Sequence, residues 1–417
     1  MEIDMSSQAQ LQPLKGIRVV DYTHFLAGPY VSRCLAALGA DVIKVERPAG
    51  GDAGRAHPYF IQGESGYFLQ QNMGKKGLCV DVKDPRGLAL MKKLIDGADV
   101  LVENYRPGAL AKLGLGYEAC AETNPGLVYC SVSAYGQTGP RSQQAGFGLI
   151  AEAMSGAMDL IGNPDETPPL FRMPVADMYA GSHGVAAVCA ALLGRVASGR
   201  GQHIDLALYD CMVSMHDYAV QCHTLSGGEE RMTRSGHYLP QSTVYGVFAA
   251  RDGSVVIAAQ VDDAWRRLAR LIGGAGLAED PRFLDAASRN AHGREAVELV
   301  QAWSRARSAA DCLAALEAAG VPAAPVQRID QVLADPHVAA RGMLIEQEHP
   351  VLGTIRLPNV PFRFSGFEPP AMRVAPMLGQ HNREIAAELG YAAQEIDRME
   401  GDGVLFAPAR VPEAASL

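Results

Sequence analysis

GIRVVDYTHFLAGPYVSRCLAALGADVIKVE, residues 16–46, decides the fold. IRVVDY is a short β-branched run with the composition of a buried strand, GPYVSRCLAALGA carries small and apolar residues at helical spacing, and DVIKVE is a second strand-like run. A strand, a helix and a strand in this order make a crossover unit, because two parallel strands need a long connection to bring the chain back. The alternation continues outward. LCVDV (78–82), DPRGLALMKKLIDGA (84–98, opened by Asp84-Pro85) and DVLVEN (99–104) repeat it. PGALAKLGLGYEACAETNP (107–125) reads as largely helical and LVYCSVSAYG (127–136) as another strand. The expectation is an α/β protein built on a doubly wound parallel sheet, whose ligands bind beyond the carboxyl ends of the strands.

Further along, a long apolar helix is expected from about 178 to 198, followed by a strand or helix start in SGRGQHIDLALYD. SGGEERMTRSGHYLPQ (226–241) is polar and turn-rich, as a linker would be. VYGVFAARDGSVVIAAQ reads as a β-hairpin around Asp252-Gly253, with the glycine expected to supply a positive φ. Three helical segments, DAWRRLARLIG, REAVELVQAWSRA and SAADCLAALEAAG, lead to a VPAAPVQ strand. These patterns divide the chain into a large domain with its first part at 10–225, a linker at 226–241, a small α/β domain at 242–328, and a segment at 329–417 that returns to the large domain.

The 417 residues carry 37 Lys and Arg against 46 Asp and Glu, a formal charge of −9, with no basic cluster to track a phosphate backbone. Nucleic acid is therefore not an expected partner. The opening MEIDMSSQAQLQPLKG lacks a basic then apolar leader, and no run approaches the roughly 18 uninterrupted apolar residues of a membrane span, so a cytoplasmic protein without membrane contact is expected. Eight scattered cysteines without a C-x-x-C pair read as reduced core thiols. No H-E-x-x-H and no paired cysteine ligands stand near His24 or His183, so no metal is expected. No G-x-G-x-x-G follows the first strand; the near match at Gly114 and Gly116 lacks its third glycine and sits in a helical stretch. A G-x-S-x-G elbow is missing as well.

One carboxylate stands out. Asp177 opens the apolar stretch FRMPVADMYAGSHGVAAVCAALLGRV (171–196), which carries no other acid. At a helix start it would cap the orphan N–H groups of the first turn. Those groups would also hold it ionised in a low-dielectric site as a competent nucleophile, while Ala180, Gly181, Ser182 and Gly184 let a bulky substrate approach. At the predicted strand ends, Arg47, the Asn104-Tyr105-Arg106 run and Lys112 form a set able to hold phosphates and a base.

Five segments in order resemble the class III CoA-transferases: LKGIRVVDYTHFLAGPYVSRCLAALGADVIKVERPAGGD, KDPRGLALMKKLIDGADVLVENYRPGALAKLGLGYE, YCSVSAYGQTGP, PVADMYAG and SGRGQHIDLAL. The resemblance runs over roughly residues 14–390. It implies a homodimer of two interlocked rings, each with a Rossmann-like large domain and a small domain. It also implies an aspartate nucleophile at Asp177, and acyl-CoA with a small carboxylic acid as substrates, without a tightly bound cofactor. CoA-contacting positions carry over to Leu26, Ala27, Arg47, Val80, Asp81, Val82, Lys83, Asn104, Tyr105, Arg106 and Lys112. Gln260 in IAAQVDD falls where the family has a mobile loop over the active site. The resemblance further implies that Phe147 and Gly148 border the substrate. Formyl-CoA transferase has a glutamine in place of Leu26 and an acid in place of Gly148, so a larger acid than formate or oxalate is expected. The related racemase keeps a histidine base in the counterpart of AGFG, where Phe147 cannot take a proton. Wording such as YCSVSAYGQTGPRSQQAGF is most similar to transferases that use succinyl-CoA and a C4 to C6 dicarboxylate. A racemase-like isomerase and a CoA-binding protein without catalysis are the alternatives.

Overall fold

The computed structural model describes residues 12–48 and 50–408. They divide into two compact units: one holds the chain up to Ser155, Arg172–His216 and the stretch from Ala340 on, the other Gly156–Phe171 and Asp217–Ala339. The stretch 226–241, expected as a linker, lies inside the second unit.

The first unit is built on a six-stranded sheet in the order β5-β2-β1-β6-β7-β8, every neighbouring pair parallel. Its strands are β1 (Arg18–Tyr22), β2 (Asp41–Glu46), β5 (Lys76–Cys79), β6 (Val100–Glu103), β7 (Val128–Ser133) and β8 (His203–Ala207); β3 (Phe60–Ile61) and β4 (Glu64–Ser65) form a small separate hairpin. The helices are α1 (Ala27–Ala37), α2 (Gly66–Asn72), α3 (Pro85–Asp96), α4 (Tyr117–Thr123), α5 (Gly148–Met154), α6 (Val175–Ser198) and α7 (Leu208–Ser214). Strands covered on both faces read as near-continuous apolar runs, as Val19-Val20, Ile43 and Val100-Leu101-Val102 do. Asp84 caps α3 by accepting the Arg86 N–H at 2.8 Å, Pro85 starts the helix, and Leu90, Met91, Leu94 and Ile95 turn inward against the sheet.

On another side, α1 packs on α6. Gly181 and Gly184 permit the approach: a Cβ at 181 would lie 2.6 Å from the Tyr30 ring, and one at 184 would lie 2.7 Å from Val31. One expectation about α6 is corrected: it begins at Val175 rather than near 178. Over its 24 residues it is apolar enough by length and composition to cross a membrane. Only 33% of that apolar window is buried within the chain, and Leu193 (75%) and Val196 (84%) are largely exposed.

The returning segment supplies an antiparallel pair, Leu344–His349 with Gly353–Pro358. The helices Asn382–Glu388 and Ala393–Gly401 then add Ile385, Ile396 and Met399 to the core beneath α3. Val80 bridges Leu405, and the Asp81 N–H reaches the Val404 carbonyl at 2.8 Å, so the end of the described chain covers the segment leaving β5.

The second unit holds the three-stranded antiparallel sheet β11-β10-β9, with β9 Tyr245–Ala250, β10 Gly253–Ala258 and β11 Ala323–Pro325. Its core gathers Phe248, Trp265, Leu268, Phe283 and Trp303. The hairpin forms where expected, but its turn is Arg251-Asp252. Gly253 is already paired with Ala250 inside β10 and has no positive φ.

Candidate active site

From β1 the chain steps through β2 to β5 on one side of the sheet, then resumes at β6 on the other side of β1. Between β1 and β6 the winding reverses, and at such a switch point the loops diverge and open a crevice. A cavity of about 330 Å³ lies there. It is walled by His24–Ala27 after β1, Asn104–Pro107 after β6, Val132–Ala134 at the end of β7 and Ala145–Phe147 beyond it, with Asp177 of α6 and Leu208 of α7.

The two central loops are tied together by one side chain. The Asn104 Oδ1 accepts the His24 N–H at 2.8 Å and its Nδ2 donates to the His24 carbonyl at 2.7 Å. Next to it, the Phe25 N–H donates to Asp52 Oδ1 at 2.9 Å, and Phe25 holds a φ of 63°, a left-handed conformation rare outside glycine. Tyr105 packs its ring 4.9 Å from both Tyr22 and His24, and Phe25 meets Phe147 edge-on at 6.0 Å. These rings make one wall of the cavity apolar. Burial holds the His24 imidazole below its usual range.

Asp177 stands in the first turn of α6, not at its cap: Pro174 occupies the cap position and offers no side-chain bond. Glu152, a buried residue of α5, takes that place, its Oε1 accepting the Ala176 N–H at 3.2 Å. The expectation that Asp177 itself caps the helix is thereby corrected. Burial, and then the Glu152 carboxylate, push the Asp177 carboxyl up to about 6. Gly148 and Glu152 lie four residues apart on one face of α5, and both face the start of α6. A Cβ at Gly148 would sit 2.2 Å from Asp177 Oδ2, so glycine there is what leaves room for the carboxylate.

Leu26, Ala27, Asn104, Tyr105, Arg106, Phe147 and Asp177 thus share one cavity, with Gly148 directly behind Asp177. Arg47, Val80–Lys83 and Lys112 are not in its lining. Arg47 is exposed with its Nε 3.3 Å from the Gly51 carbonyl, Val80 and Val82 are buried in the core beneath α3, and Lys83 and Lys112 are exposed. Gln260 belongs to the second unit, where its carbonyl accepts the buried Arg289 guanidinium at 2.6 Å. Sequence reading passed over Glu152, Asp52 and Lys44; the one signal for Glu152 was its four-residue spacing from Gly148.

The sequence matches CoA-transferase family III over residues 14–382. The chain belongs to that family. It is 37% identical to a succinate–glutarate CoA-transferase of Agrobacterium fabrum, across 90% of this chain and 96% of that protein. A succinyl-CoA–D-citramalate CoA-transferase of Chloroflexus aurantiacus is also 37% identical, across 92% and 96%. The crystal structure of a CAIB/BAIF family protein from Brucella suis superposes with a TM-score of 0.82 at 36% identity, covering 91% of this chain and all of that one. For a family III transferase, the parallel sheet with the cavity at its switch point is the part of the fold that bears on chemistry.

Proposed function

We propose that this transferase moves CoA from succinyl-CoA to a C4 to C6 dicarboxylate, with Asp177 as the covalent nucleophile. One observation carries the reading: a single carboxylate, raised in basicity by its surroundings, stands in the wall of the cavity at the switch point. The names of the relatives supply the substrate class.

The steps balance as follows. The Asp177 carboxylate attacks the thioester carbonyl of succinyl-CoA, forming a mixed aspartyl–succinyl anhydride and releasing CoA thiolate. The thiolate attacks the aspartyl carbonyl, leaving an aspartyl–CoA thioester and free succinate. The acceptor carboxylate then attacks that thioester, expelling the thiolate and forming a second anhydride. The thiolate finally attacks the acceptor's carbonyl, giving the new acyl-CoA and restoring Asp177. Thioester and anhydride are close in energy, so neither intermediate becomes a trap. A carboxyl near 6 is mostly ionised at neutral pH, yet more nucleophilic than an ordinary aspartate. The N–H groups of Ala27 and Gly28 in the first turn of α1 have no acceptor among the described residues and suit a developing oxyanion. Phe25, Tyr105 and Phe147 line one side of the cavity, and turnover requires that water be kept from the anhydride there.

Arg106 at the cavity mouth, with Arg47, Lys83 and Lys112 farther out, would meet the CoA phosphates. The exposed apolar face of α5 and α6, including Leu149, Ile150, Leu193 and Val196, fits a homodimer of interlocked chains. Mass spectrometry of protein incubated with succinyl-CoA tests the reading: a CoA adduct is expected on the peptide bearing Asp177. Asp177→Ala should abolish both adduct and transfer while retaining CoA binding. Transfer by that variant, or no transfer to any dicarboxylate by the native enzyme, refutes the assignment.

A further inference from the structure

The loop after β1 is held almost entirely by side chains from elsewhere. The Thr23 N–H donates to Asp21 Oδ1 at 3.1 Å, and the Thr23 carbonyl accepts Lys44 Nζ at 2.6 Å. Both backbone polar groups of His24 go to Asn104, and the Phe25 N–H goes to Asp52. Asp52 is only 4% exposed and does not line the cavity. Its Oδ1 also accepts the Gly54 N–H at 2.7 Å, while Lys44 Nζ approaches its Oδ2 at 2.7 Å. Lys44, Asp21 and Lys75 are wholly buried, and Lys75 Nζ meets Asp21 Oδ2 at 2.7 Å. Two acids and two bases therefore form a neutral cluster directly under the loop, joined by the buried Glu46, which accepts the Asp52 N–H at 3.0 Å and pairs with Arg55. Burial opposes ionisation of both acids, but the neighbouring ammonium groups hold Asp21 and Asp52 below the usual carboxylate range.

Such a cluster contributes little net stability compared with well-packed apolar residues, so its use lies in fixing a geometry. That geometry is the left-handed Phe25, a conformation a non-glycine residue keeps only when its surroundings impose it. Phe25 turns the chain sharply into α1. Gly28 then sits so close to Thr23 that a Cβ there would lie 2.5 Å from Thr23 Cγ2. The turn thereby sets where Leu26 and Ala27 enter the cavity wall.

We propose that Asp52, locked by Lys44, is a positioning residue for CoA transfer: through the Phe25 N–H it holds the β1–α1 turn that aims the first turn of α1 at the substrate carbonyl. This rests on the transfer reading above. It reaches further, to a residue that touches neither substrate nor nucleophile.

The test compares native enzyme with Asp52→Ala and Asp52→Asn, using steady-state transfer from succinyl-CoA to glutarate, titration with CoA, and hydrogen exchange of the peptide spanning 23–29. Asp52→Ala removes the acceptor of the Phe25 N–H. Its kcat should fall about 10²-fold, the effect of misplacing reacting groups by about 1 Å, with a far smaller change in CoA affinity and with faster exchange confined to the turn. Asn keeps an acceptor for Phe25 but turns its amide NH2 toward Lys44 Nζ, so it should restore part of both and exceed Asp52→Ala in each. An Asp52→Ala enzyme with native kcat, or with native exchange at the turn, overturns the proposal. If that variant does not fold, Asp52→Asn decides: collapse of kcat with the turn still protected would show that the charge matters rather than the clamp. Failure of the native protein to transfer CoA would defeat the transfer reading, and the exchange measurement would still judge the clamp on its own.

Discussion

Gly148→Ala adds a single methyl group behind the proposed nucleophile, and its effect follows from two distances. The new Cβ would lie 2.2 Å from Asp177 Oδ2 and 3.0 Å from Asp177 Cγ, whereas real Cβ atoms stay beyond about 3.0 Å of such neighbours. Asp177 or the start of α5 must therefore give way by about 0.8 Å or more, close to the displacement that costs an enzyme about 10²-fold in rate. A 10²-fold loss corresponds to about 2.7 kcal/mol of barrier. Stability should change much less. Alanine favours the first turn of α5 by up to about 1 kcal/mol over glycine, which offsets part of the overpacking cost of about 1–3 kcal/mol. The informative measurement is single-turnover formation of the Asp177 adduct with saturating succinyl-CoA, alongside CoA affinity and thermal unfolding. A slow adduct with native affinity and a melting temperature within a few degrees of native is expected. Adduct formation within about threefold of native would refute the argument, because no carboxylate can keep its place and accept that methyl group.

Two further outcomes follow from the same geometry. The carboxyl of Asp177 must be ionised to attack, so kcat/KM should fall as pH drops through about 6; Glu152→Gln removes the neighbouring negative charge and should move that acid limb to lower pH, whereas an unmoved limb would exclude Glu152 as a cause. Gly87→Ala would place a Cβ 2.1 Å from the Asp81 carbonyl oxygen and displace the Asp81–Lys83 loop from α3. If that loop holds CoA, KM for succinyl-CoA should rise roughly tenfold while kcat stays near native, and the opposite split would remove the loop from the binding surface.

The sheet was legible in the sequence because its signals are local. Each strand buried on both faces is an apolar run, and Asp84-Pro85 marks the start of α3. The loop residues that line the cavity were legible for a related reason: Leu26, Ala27 and Asn104 through Arg106 directly follow β1 and β6, and the switch point places them together. What stayed hidden are the residues whose meaning depends on distant partners. Lys44 in DVIKVE reads as a solvent-facing charge on a strand, yet it is wholly buried against Asp21 and Asp52. Glu152 in IAEAMSG reads as an outward helix position until α6 packs onto α5. The surroundings of Asp177 stayed hidden for the same reason. A carboxylate at a helix start was expected to take the free N–H groups, and only the tertiary structure shows that Glu152 takes one of them first.

The Asn104 link to His24 joins residues 80 positions apart, across a parallel strand pair. Bringing those ends together costs about 4 kcal/mol of chain entropy, paid before any contact across the gap forms. Parallel, non-local pairing of this kind is slow to form, so the cavity is a late product of folding. A partly folded chain therefore carries Asp177 without the wall that would bring a thioester to it, and recovery of activity on refolding should lag behind recovery of helix signal. The same winding reversal that opens the crevice also makes the active site a reporter of complete folding.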